Sequence, residues 1–263
     1  MVYKLRHGSG KSMSITGKTA IVTGAGTGLG LAFATRLAAD GANVVLADLN
    51  GAKAAAASLA RAGRSVLGLH ADVSSEASVR AMVETTLQCF GAIDILVNNA
   101  AVSATLRLTK FEELSLAEWQ HVLGVNTIGV FLCCRAVAAH MRARKQGRII
   151  NVASGTAFKG APFLLHYVAS KGAVISMTRS LARELGNDNI TVNAISPGYT
   201  LTEGNLANTA FAAAHREAAI ASRALPRDAW PEDLVGAVAF LAGDEAAFIT
   251  GQILAIDGGS VYH

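Results

Sequence analysis

A tyrosine and a lysine lie four residues apart near the middle of the chain, as Tyr167 and Lys171 in the segment HYVASKG. At this spacing two residues of a helix share one face, so the side chains are predicted neighbours. A free phenol, with a pKa of about 10, is a poor base at neutral pH, but a nearby ammonium group stabilises the phenolate and lowers that pKa. The pair therefore predicts a proton-transfer site. An ordinary pair on a helix surface is the alternative that this segment alone leaves open.

The composition is that of a compact soluble protein. Hydrophobic residues make up 51% and charged residues 16% of the 263 residues, and the 26 glycines suit many tight turns. The high pI, about 9.1, comes mostly from Lys4, Arg6 and Lys11 near the N-terminus. Because the other basic residues are not interleaved with aromatic side chains that could stack on bases, no nucleic-acid partner is expected.

The cysteine and hydropathy patterns argue against further classes. Cys89, Cys133 and Cys134 form no CxxC pair and have no histidines at ligand spacing, so neither a disulfide framework nor a metal site is expected. No apolar run reaches the ~18 residues of a membrane span, and residues 1–14 lack the apolar stretch of a signal peptide. We therefore expect a cytoplasmic protein without a membrane partner, in which residues 1–14 are a flexible extension and residues 15–263 form one domain.

Short apolar runs alternate with longer amphipathic stretches through the rest of the chain, which indicates repeated strand and helix units. Because the apolar runs are continuous, each strand is predicted to be buried on both faces, as in a parallel sheet covered by helices. The predicted fold class is α/β, a single doubly wound Rossmann domain with about seven parallel strands and helices on both faces. The predicted strands are TAIVTG (19–24), NVVLAD (43–48), SVLGLHAD (65–72), IDILVNN (93–99), GRIINVAS (147–154), ITVNAISPG (190–198) and GQILAIDGG (251–259).

The segment 199–230 interrupts this alternation. It places Gly204, an Ala-rich helical stretch and the sequence RALPRDAW between the sixth strand and the last helix. Long excursions beyond the carboxyl end of a strand commonly build a substrate site or a lid. We predict that this excursion walls the substrate pocket, and a purely structural insertion is the alternative.

The first strand runs into the glycine-rich sequence TGAGTGLG, which contains Gly24, Gly28 and Gly30. A turn between a strand and a helix needs glycine where a Cβ would block the close approach of a pyrophosphate, which then binds the N–H groups at the helix start. The second strand ends in Asp48, 20 residues after Gly28. A carboxylate at that place can accept hydrogen bonds from an adenosine ribose, although Asp48 could also be an ordinary turn aspartate.

The charge of Asp48 favours NAD over NADP as the cofactor. A carboxylate at this place would repel the 2′-phosphate of NADP. No Arg or Lys occurs at positions 25, 27, 29, 47 or 49 to bind that phosphate.

Two further residues complete a chemical group with Tyr167 and Lys171: Asn126 in GVNTIG and Ser154 at the end of INVAS. Together with TGAGTGLG, HADV, NNA, YVASK and SPGYTLT, in this order and spacing, they make residues 15–260 resemble the short-chain dehydrogenase/reductase family. The resemblance implies that Tyr167 exchanges a proton with the substrate oxygen while a nicotinamide carries the hydride. It also implies that Ser154 binds the same oxygen, that Lys171 holds the nicotinamide ribose, and that Asn126 supports a water leading to Lys171.

The same resemblance extends the cofactor site. It implies that Asp72 and Val73 flank the adenine, that Asn98 and Asn99 line the cleft, and that Thr200 and Thr202 approach the carboxamide. The complete predicted cofactor site consists of Gly24, Thr27, Gly28, Leu29, Gly30, Asp48, Leu49, Asp72, Val73, Asn98, Asn99, Tyr167, Lys171, Pro197, Thr200 and Thr202.

Ala101 and His166 lie next to these motifs but outside the predicted catalytic group. Ala101 stands where the family usually has glycine, and its methyl group would narrow the cleft without removing a catalytic group. His166, beside Tyr167, is interpreted as a pocket-wall or surface histidine rather than a catalytic one.

The predicted substrate is a hydrophobic secondary alcohol or its ketone. The segments GTAFKGAPFLL and LANTAFAAAH, which carry Phe158, Phe163 and Phe211, have few groups that could bind a phosphate or carboxylate, and Lys159 is the charge that complicates this reading. The C-terminal segment and LHYVASK also resemble relatives that oxidise aryl alcohols of the 1-phenylethanol type. The family resemblance further implies a homotetramer built on the long helices before and after Ser154 and on the C-terminal strand.

Two other functions stay open. The chain could be a 3-oxoacyl-[acyl-carrier-protein] reductase, for which Arg107 or Arg135 would have to receive an acidic carrier protein. It could also be a family relative that binds NAD and only regulates or scaffolds. Asp48 speaks against the first alternative, because that activity commonly uses NADPH, and the intact Asn, Ser, Tyr and Lys group speaks against the second.

Overall fold

The structure is a computed structural model that describes residues 15–207 and 216–262. The predicted N-terminal extension, residues 1–14, lies outside the described residues, and so does Phe211, one of the three predicted pocket phenylalanines. The division of the chain into an extension and one domain stays a prediction.

The described residues contain a seven-stranded sheet in which all neighbouring strands are parallel. The spatial order is β3-β2-β1-β4-β5-β6-β7, so the order reverses between β1 and β4. In such sheets, ligands bind beyond the carboxyl ends of the strands at the point of reversal. The strands are β1 Thr19–Thr23, β2 Asn43–Asp48, β3 Val66–His70, β4 Ile95–Asn98, β5 Gly147–Val152, β6 Ile190–Pro197 and β7 Ile253–Ile256.

Helices connect the strands and pack on the sheet. Short 3₁₀ helices lie at Phe111–Glu113, Gly186–Asp188 and Asp244–Ala246. The α-helices are α1 Gly28–Ala39, α2 Ala52–Arg61, α3 Glu76–Phe90, α4 Leu116–Leu123, α5 Gly129–Arg144, α6 Thr156–Lys159, α7 Leu165–Leu185, α8 Glu203–Ala207 and α9 Glu232–Ala242.

The core explains why the strand sequences are continuously apolar. Strands β1, β4, β5 and β6 are buried at every residue. Ile21 and Leu96 belong to one core cluster, which includes residues of α3, α5 and α7, while their neighbours Val22 and Ile95 belong to another, which includes residues of α1 and α9. Successive residues of a strand point to opposite faces, so each strand contributes to both clusters. The predicted doubly wound fold is therefore confirmed.

The predicted helix across roughly 115–142 is continuous from Leu116 to Arg144 but contains a π-helical turn at Gly124–Ile128. By length and composition it is apolar enough to cross a membrane, contrary to the expectation that no segment would qualify. Core helices of soluble proteins pass the same test, and Val137 and Met141 from this helix are fully buried in the core. The absence of a membrane partner stays a prediction.

The close packing of α2 on β3 gives a stability prediction. A Cβ at Gly68 would lie 2.4 Å from the Ala52 carbonyl oxygen and 2.7 Å from the Lys53 Cα, both backbone atoms. We expect Gly68→Ala to lower the free energy of unfolding by about 2 kcal/mol or more, as overpacking does. Urea denaturation measures this change.

Gly236 in α9 is the matched control, since a Cβ there would meet nothing within 4 Å. Gly236→Ala should raise the free energy of unfolding by up to about 1 kcal/mol, because alanine is the better helix former. Equal effects at the two positions would contradict the packing argument.

Candidate active site

The glycine-rich turn after β1 is held against the end of β4 by one side chain. The Asn99 amide donates to the carbonyl oxygens of Thr23 and Gly24, at 3.0 Å each, and its backbone N–H donates to Thr23 Oγ1 at 3.1 Å. A Cβ at Gly24 would lie 2.7 Å from the Ala100 Cα, and a Cβ at Gly30 would lie 2.0 Å from the Gly24 carbonyl oxygen. These glycines are therefore required by the packing of the turn itself.

Gly28 and the start of α1 face a more open space. Gly28 has φ +57°, and the nearest atoms to a Cβ there belong to the Thr202 side chain, at 3.7 and 3.8 Å. The N-cap residue of α1, Thr27, makes no side-chain hydrogen bond to the helix, and no acidic residue lies in the first turn. The N–H groups that begin at Leu29 are therefore available for an anion such as a pyrophosphate.

Asp48 joins the end of β2 to the glycine-rich turn. Its Oδ2 accepts from Gly26 N–H at 2.8 Å, and its Oδ1 accepts from Asn50 N–H at 3.0 Å. The second bond is the turn interaction that sequence analysis kept as an alternative, and the first brings the carboxylate to the turn. Sequence analysis did not select Gly26, although a Cβ there would lie 2.1 Å from the Asn50 carbonyl oxygen. Leu49 beside it is half exposed.

The two residues predicted to flank the adenine follow β3. Asp72 Oδ1 accepts from the backbone N–H and the hydroxyl of Ser74, at 2.9 and 2.6 Å. Val73 is buried, and its side chain lies against Gly129, where a Cβ would come within 2.8 Å of it.

Asn98 and Asn99, which were predicted together, lie in different surroundings. Asn98 is buried, and its amide donates to Asn151 Oδ1 at 2.9 Å and to Cys134 Sγ at 3.3 Å. Asn99 contacts the glycine-rich turn. Adjacent residues at the end of a strand point to opposite sides, so the pair could not share one surrounding. Sequence analysis missed Thr23, whose place directly before Gly24 could have indicated its role.

Ser154, Tyr167 and Lys171 form one group at the carboxyl edge of the sheet. Ser154 follows β5, and a hydrogen bond joins its side chain to that of Tyr167. Lys171 is buried on α7, its Nζ lies 5.8 Å from the centre of the Tyr167 ring, and it donates to the Val152 carbonyl oxygen at 2.8 Å. The spacing of the tyrosine and the lysine therefore places both on one helix face, beside the serine.

The direction of the Ser154 hydroxyl follows from its other contacts. Ser154 Oγ accepts from the Thr156 hydroxyl at 2.9 Å and from Thr156 N–H at 3.3 Å. A serine hydroxyl has two acceptor sites and one hydrogen. Since Thr156 occupies both acceptor sites, the hydrogen is left to donate towards Tyr167. Sequence analysis did not identify Thr156.

Burial dominates the electrostatics of the pair. Burial raises the pKa of Tyr167 above its ordinary value of 10.0, and the hydrogen bond from Ser154 acts in the opposite direction. Burial also lowers the pKa of Lys171 to about 8. Sequence analysis expected Lys171 to lower the pKa of Tyr167. The net direction is the reverse, because the ring packs beside the buried residues Leu106, Val122 and Leu164 and loses the hydration that a phenolate needs.

Asn126 lies in the π-helical turn and is fully buried. Its Oδ1 accepts from Val102 N–H at 2.8 Å, and its Nδ2 donates to the Val102 carbonyl oxygen at 3.2 Å and to Ser170 Oγ at 3.1 Å. Ser170 Oγ in turn donates to the Tyr167 carbonyl oxygen at 2.7 Å. Asn126 thus fastens the loop after β4 to α7. The water that the resemblance implied stays a prediction.

The loop after β6 contacts the segment that follows Ser154. Gly155 N–H donates to the Pro197 carbonyl oxygen at 3.0 Å, which ties the residue after Ser154 to the end of β6. Thr200 is buried and bridges to Ala229 at the base of the 199–230 excursion. Thr202 Oγ1 accepts from Asn205 N–H at 3.2 Å, at the start of α8.

A groove of about 520 Å³ lies between the segment 109–112, after β4, and the segment 160–168, which runs from the end of α6 into α7. Phe163 and Leu165 line the groove together with Val168, which follows Tyr167 in the chain. Phe111 lines its opposite side. Phe163 has φ +63°, and its carbonyl oxygen accepts from Thr109 N–H at 3.0 Å. A left-handed conformation is costly for a residue with a side chain, so this bond holds the loop in place.

Phe158 and His166 are two predicted residues whose burial the structure shows. Phe158 packs against the core cluster that includes α5 and α7, so the prediction that it walls the groove is wrong. His166 is 3% exposed, and burial lowers its pKa while Glu118 acts in the opposite direction. The surface position is therefore excluded for His166, and the pocket-wall position stays a prediction. Among the described residues, no three His, Cys, Asp or Glu side chains are grouped so that they could hold a metal ion.

Comparisons with known proteins point to one family. A family model described as enoyl-(acyl carrier protein) reductase matches residues 24–261. The chain is 41% identical over 250 residues to a protein named as a short-chain type dehydrogenase/reductase of Bradyrhizobium diazoefficiens, covering 94% of this chain and 88% of the relative. It is 38% identical over 254 residues to a 3-oxoacyl-[acyl-carrier-protein] reductase of Synechocystis, covering 94% of this chain and 98% of the relative.

A solved structure from Beutenbergia cavernae is also similar. It is described as an NAD(P)-dependent gluconate 5-dehydrogenase with NADP bound at low occupancy. The TM-score is 0.88 at 37% sequence identity, with 95% of this chain and 99% of that chain covered.

The hydrogen bond between Ser154 and Tyr167 gives a testable pKa prediction. Because this bond lowers the pKa of Tyr167 against the effect of burial, Ser154→Ala should move that pKa further upward. Absorbance titration of the phenolate band measures the change, and the same titration of Tyr167→Phe identifies the transition. A pKa that stays the same, or falls, in Ser154→Ala would contradict the assigned direction of the hydroxyl.

Proposed function

The chain belongs to the short-chain dehydrogenase/reductase family and is an oxidoreductase acting on CH–OH groups, and on that premise we propose that it uses NAD to interconvert a hydrophobic secondary alcohol, bulky or aromatic, and its ketone. The observation that carries the proposal is the meeting of Ser154, Tyr167 and Lys171 at the carboxyl edge of the sheet, where Ser154 hydrogen-bonds to Tyr167 and the Lys171 Nζ lies 5.8 Å from the centre of the Tyr167 ring. A nicotinamide cofactor supplies the hydride acceptor in oxidation and the donor in reduction.

In the proposed mechanism, Tyr167 moves the proton. In ketone reduction its hydroxyl donates a proton to the developing alkoxide, and in alcohol oxidation its deprotonated oxygen accepts the hydroxyl proton of the substrate. Because the pKa of Tyr167 is raised, the protonated form that serves reduction predominates at neutral pH. With substrate bound, the Ser154 hydroxyl would donate to the substrate oxygen instead of to Tyr167 and stabilise the negative charge that develops there. Lys171, with a pKa of about 8, is still mostly protonated at pH 7 and keeps a positive charge near the Tyr167 ring.

The glycine-rich turn fits a dinucleotide. Gly28 leaves open space above the start of α1, where a side chain would have to fit against Thr202, and no side-chain cap occupies the helix N-terminus. The pyrophosphate would bind the N–H groups of this turn, and Asp48 would accept from the ribose hydroxyls.

Asp48 supports NAD as the preferred dinucleotide. Its carboxylate already accepts one N–H on each oxygen, from Gly26 and Asn50, and these bonds fix its position at the edge of the turn. An ionised carboxylate repels a 2′-phosphate, while its remaining lone pairs suit the hydroxyls of an unmodified ribose. The NADP bound to the Beutenbergia protein belongs to a chain that is 37% identical, and it does not carry over to this one.

The groove of about 520 Å³ supports an apolar substrate. Phe111 and Phe163 are both more than half exposed, so they offer apolar surface that a substrate would cover. Phe158 adds nothing to this argument because it packs against the core. The support for an aromatic substrate is therefore narrower than the sequence suggested and depends mainly on Phe163.

A 3-oxoacyl-[acyl-carrier-protein] reductase is the second candidate, favoured by the 38% identical Synechocystis relative. Of the two arginines considered for an acidic carrier protein, Arg135 already pairs with Glu76 at 2.5 Å and lies over the Phe131 ring. Arg107 is exposed. The proposed preference for NAD and the ion pair of Arg135 with Glu76 both favour a small alcohol over an acyl group on a carrier protein as the substrate.

We also propose a homotetramer. Exposed apolar side chains occur on or next to the segments predicted to form its interfaces: Ile128 and Phe131 around the start of α5, and Phe248 and Leu254 around β7. Apolar side chains of this size on a helix and a strand commonly become buried between subunits.

Asp48→Ala tests the cofactor proposal. The wild-type enzyme should prefer NAD over NADP by about tenfold or more in kcat/KM, the size of one charged hydrogen bond. The variant should bind NAD more weakly and narrow that preference. Asp40→Ala, which removes an aspartate at the far end of α1, is the control. Comparable kcat/KM values for the two cofactors in the wild type would refute the assignment.

Tyr167→Phe tests the chemistry together with a substrate panel. Turnover should fall by about 10²-fold or more, because the variant keeps the ring and loses the transferable proton. NAD binding should survive. The panel compares an aryl alkyl carbinol, a polyol and a 3-hydroxyacyl thioester by NADH absorbance. If the polyol or the thioester has the highest kcat/KM by more than about tenfold, the apolar-substrate proposal fails while the role of Tyr167 can still stand.

Light scattering tests the assembly. The wild type should have four times the mass of the 27.1 kDa chain. Phe131→Glu should produce smaller species without unfolding the subunit, because a charge on this exposed residue costs little in the monomer and much inside an interface. A stable wild-type monomer would contradict the proposal.

A further inference from the structure

Three chain segments bring a lysine and two serines together near Ser154. Lys159 at the end of α6 donates from Nζ to Ser222 Oγ at 3.0 Å and also to Ser260 Oγ, and the two serine oxygens contact each other. Ser222 lies at the end of the 199–230 excursion, and Ser260 lies after β7. Nothing in the proposed proton transfer uses this cluster.

Among the described residues, no carboxylate forms an ion pair with the lysine. Two other cations of this region have acidic partners, since Arg216 pairs with Asp228 and Arg227 pairs with Asp233. Lys159 has only the two hydroxyls as hydrogen-bond partners within the described parts of the chain.

Asp257 contacts the backbone of the segment that carries Ser260. Its Oδ1 accepts from the N–H groups of Gly259 and Ser260, at 3.0 Å each. The buried Arg223 lies beside it: a Cβ at Gly198 would be 2.9 Å from the Asp257 Cβ and 3.4 Å from Arg223 Nη2. Asp257 and Arg223 therefore form a neighbouring pair of opposite charge, and the Lys159 ammonium adds one positive charge to this region.

The cluster still has donors to offer. An ammonium group has three N–H donors, and the two serines take two of them. Ser222 Oγ donates to the Ala219 carbonyl oxygen at 2.9 Å, so its hydrogen is used. The Ser260 hydroxyl can turn from its serine neighbour to an incoming acceptor. A carboxylate or phosphate oxygen would thus receive one N–H from Lys159 and one O–H from Ser260, and charge-assisted bonds of this kind are the stronger ones.

The chain connects the cluster closely to the reacting group. Lys159 follows Ser154 by five positions and ends α6, which begins two residues after Ser154. The segment after β7 packs on the start of α6, since a Cβ at Gly155 would lie 3.7 Å from Asp257 Oδ2 and 3.9 Å from Val261 Cγ2. An alcohol that reacts at Tyr167 could therefore extend an anionic end to Lys159.

We propose that Lys159 and Ser260 form an anion subsite that binds a carboxylate or phosphate group at the far end of the alcohol substrate. This inference rests on the proposed alcohol oxidation and narrows its substrate class to amphipathic alcohols, with an apolar body and one anionic end. Ser222 positions the lysine between the excursion and the segment after β7.

Matched alcohols test the subsite. 4-(1-Hydroxyethyl)benzoate and 1-(4-methylphenyl)ethanol share one reacting group and differ in the anionic end, and (4-(1-hydroxyethyl)phenyl)phosphonate distinguishes a phosphate-like group from a carboxylate. The wild-type enzyme should have a kcat/KM at least about tenfold higher for one or both anionic alcohols than for the neutral one. The preference should shrink as ionic strength rises, because the site is exposed.

Variants assign that preference to residues. Lys159→Met should lower kcat/KM for the anionic alcohol by about tenfold and leave the neutral alcohol within about twofold. Ser260→Ala should have a smaller effect in the same direction. Arg64→Met removes one exposed positive charge before β3, at the other edge of the sheet, and should leave the preference unchanged. If Lys159→Met fails to fold, Ser260→Ala alone decides, because it keeps the cation and removes one donor.

A binding measurement separates failure of the subsite from failure of the proposed function. Calorimetric titration of the NAD complex with 4-ethylbenzoate, which cannot react, should show binding that Lys159→Met weakens. If all three alcohols are inert but 4-ethylbenzoate binds through Lys159, the proposed function is wrong and the subsite stands. Equal kcat/KM for anionic and neutral alcohols, or a preference that Lys159→Met leaves intact, would overturn the subsite.

Discussion

The structure depends on the contact between the ends of β1 and β4, where the Asn99 amide holds two carbonyl oxygens of the glycine-rich turn. The order of the sheet reverses between these strands, so a crevice opens there and nowhere else along the line of strands from β3 to β7. Asn99 joins the ends of the two strands through these bonds. The space at Gly28, at the start of α1, is more open, since a Cβ there would meet only the Thr202 side chain, at 3.7 and 3.8 Å.

A second set of contacts assembles the chemical group from segments far apart in the sequence. Asn126 fastens the loop after β4 to α7 through Val102 and Ser170, and the bond from Gly155 to Pro197 fastens the start of α6 to the end of β6. Because the bonds at Val102 and Pro197 involve backbone atoms, they set where the loops run rather than which side chains the loops carry. Ser154 and Tyr167 are thus held by a frame that is separate from the residues that would choose a substrate.

Much of the fold could be predicted from the sequence because its signals are local. Continuous apolar runs indicated the seven parallel strands, and four-residue spacing placed Tyr167 and Lys171 on one helix face. The direction of side chains at strand ends was not predictable in the same way. The sequence NNA does not indicate that Asn98 enters the core and that Asn99 contacts the glycine-rich turn. The pKa of Tyr167 was also mispredicted in direction, because burial by Leu106, Val122 and Leu164 depends on chain segments that only the fold brings together. Thr156 and Gly26 were not predicted for a related reason. Each acts through a hydrogen bond, to Ser154 and to Asp48 respectively, that no sequence motif indicates.

The π-helical turn at Gly124–Ile128 determines the relative phase of the two helices that it joins. A π-helical turn contains about one residue more than an α-helical turn, and each residue of an α-helix rotates the chain by about 100°. The apolar face of α5 is therefore rotated relative to that of α4, so that Val122 in α4 is buried with Leu106 and Leu164 near Tyr167, while Val137 and Met141 in α5 are buried in the core of the sheet. Deleting one residue from this turn would make the helix more regular, but only one of the two helices could then keep its present register. The extra residue of the π-helical turn therefore lets one continuous helix bury one face beside the catalytic loops and another face against the sheet.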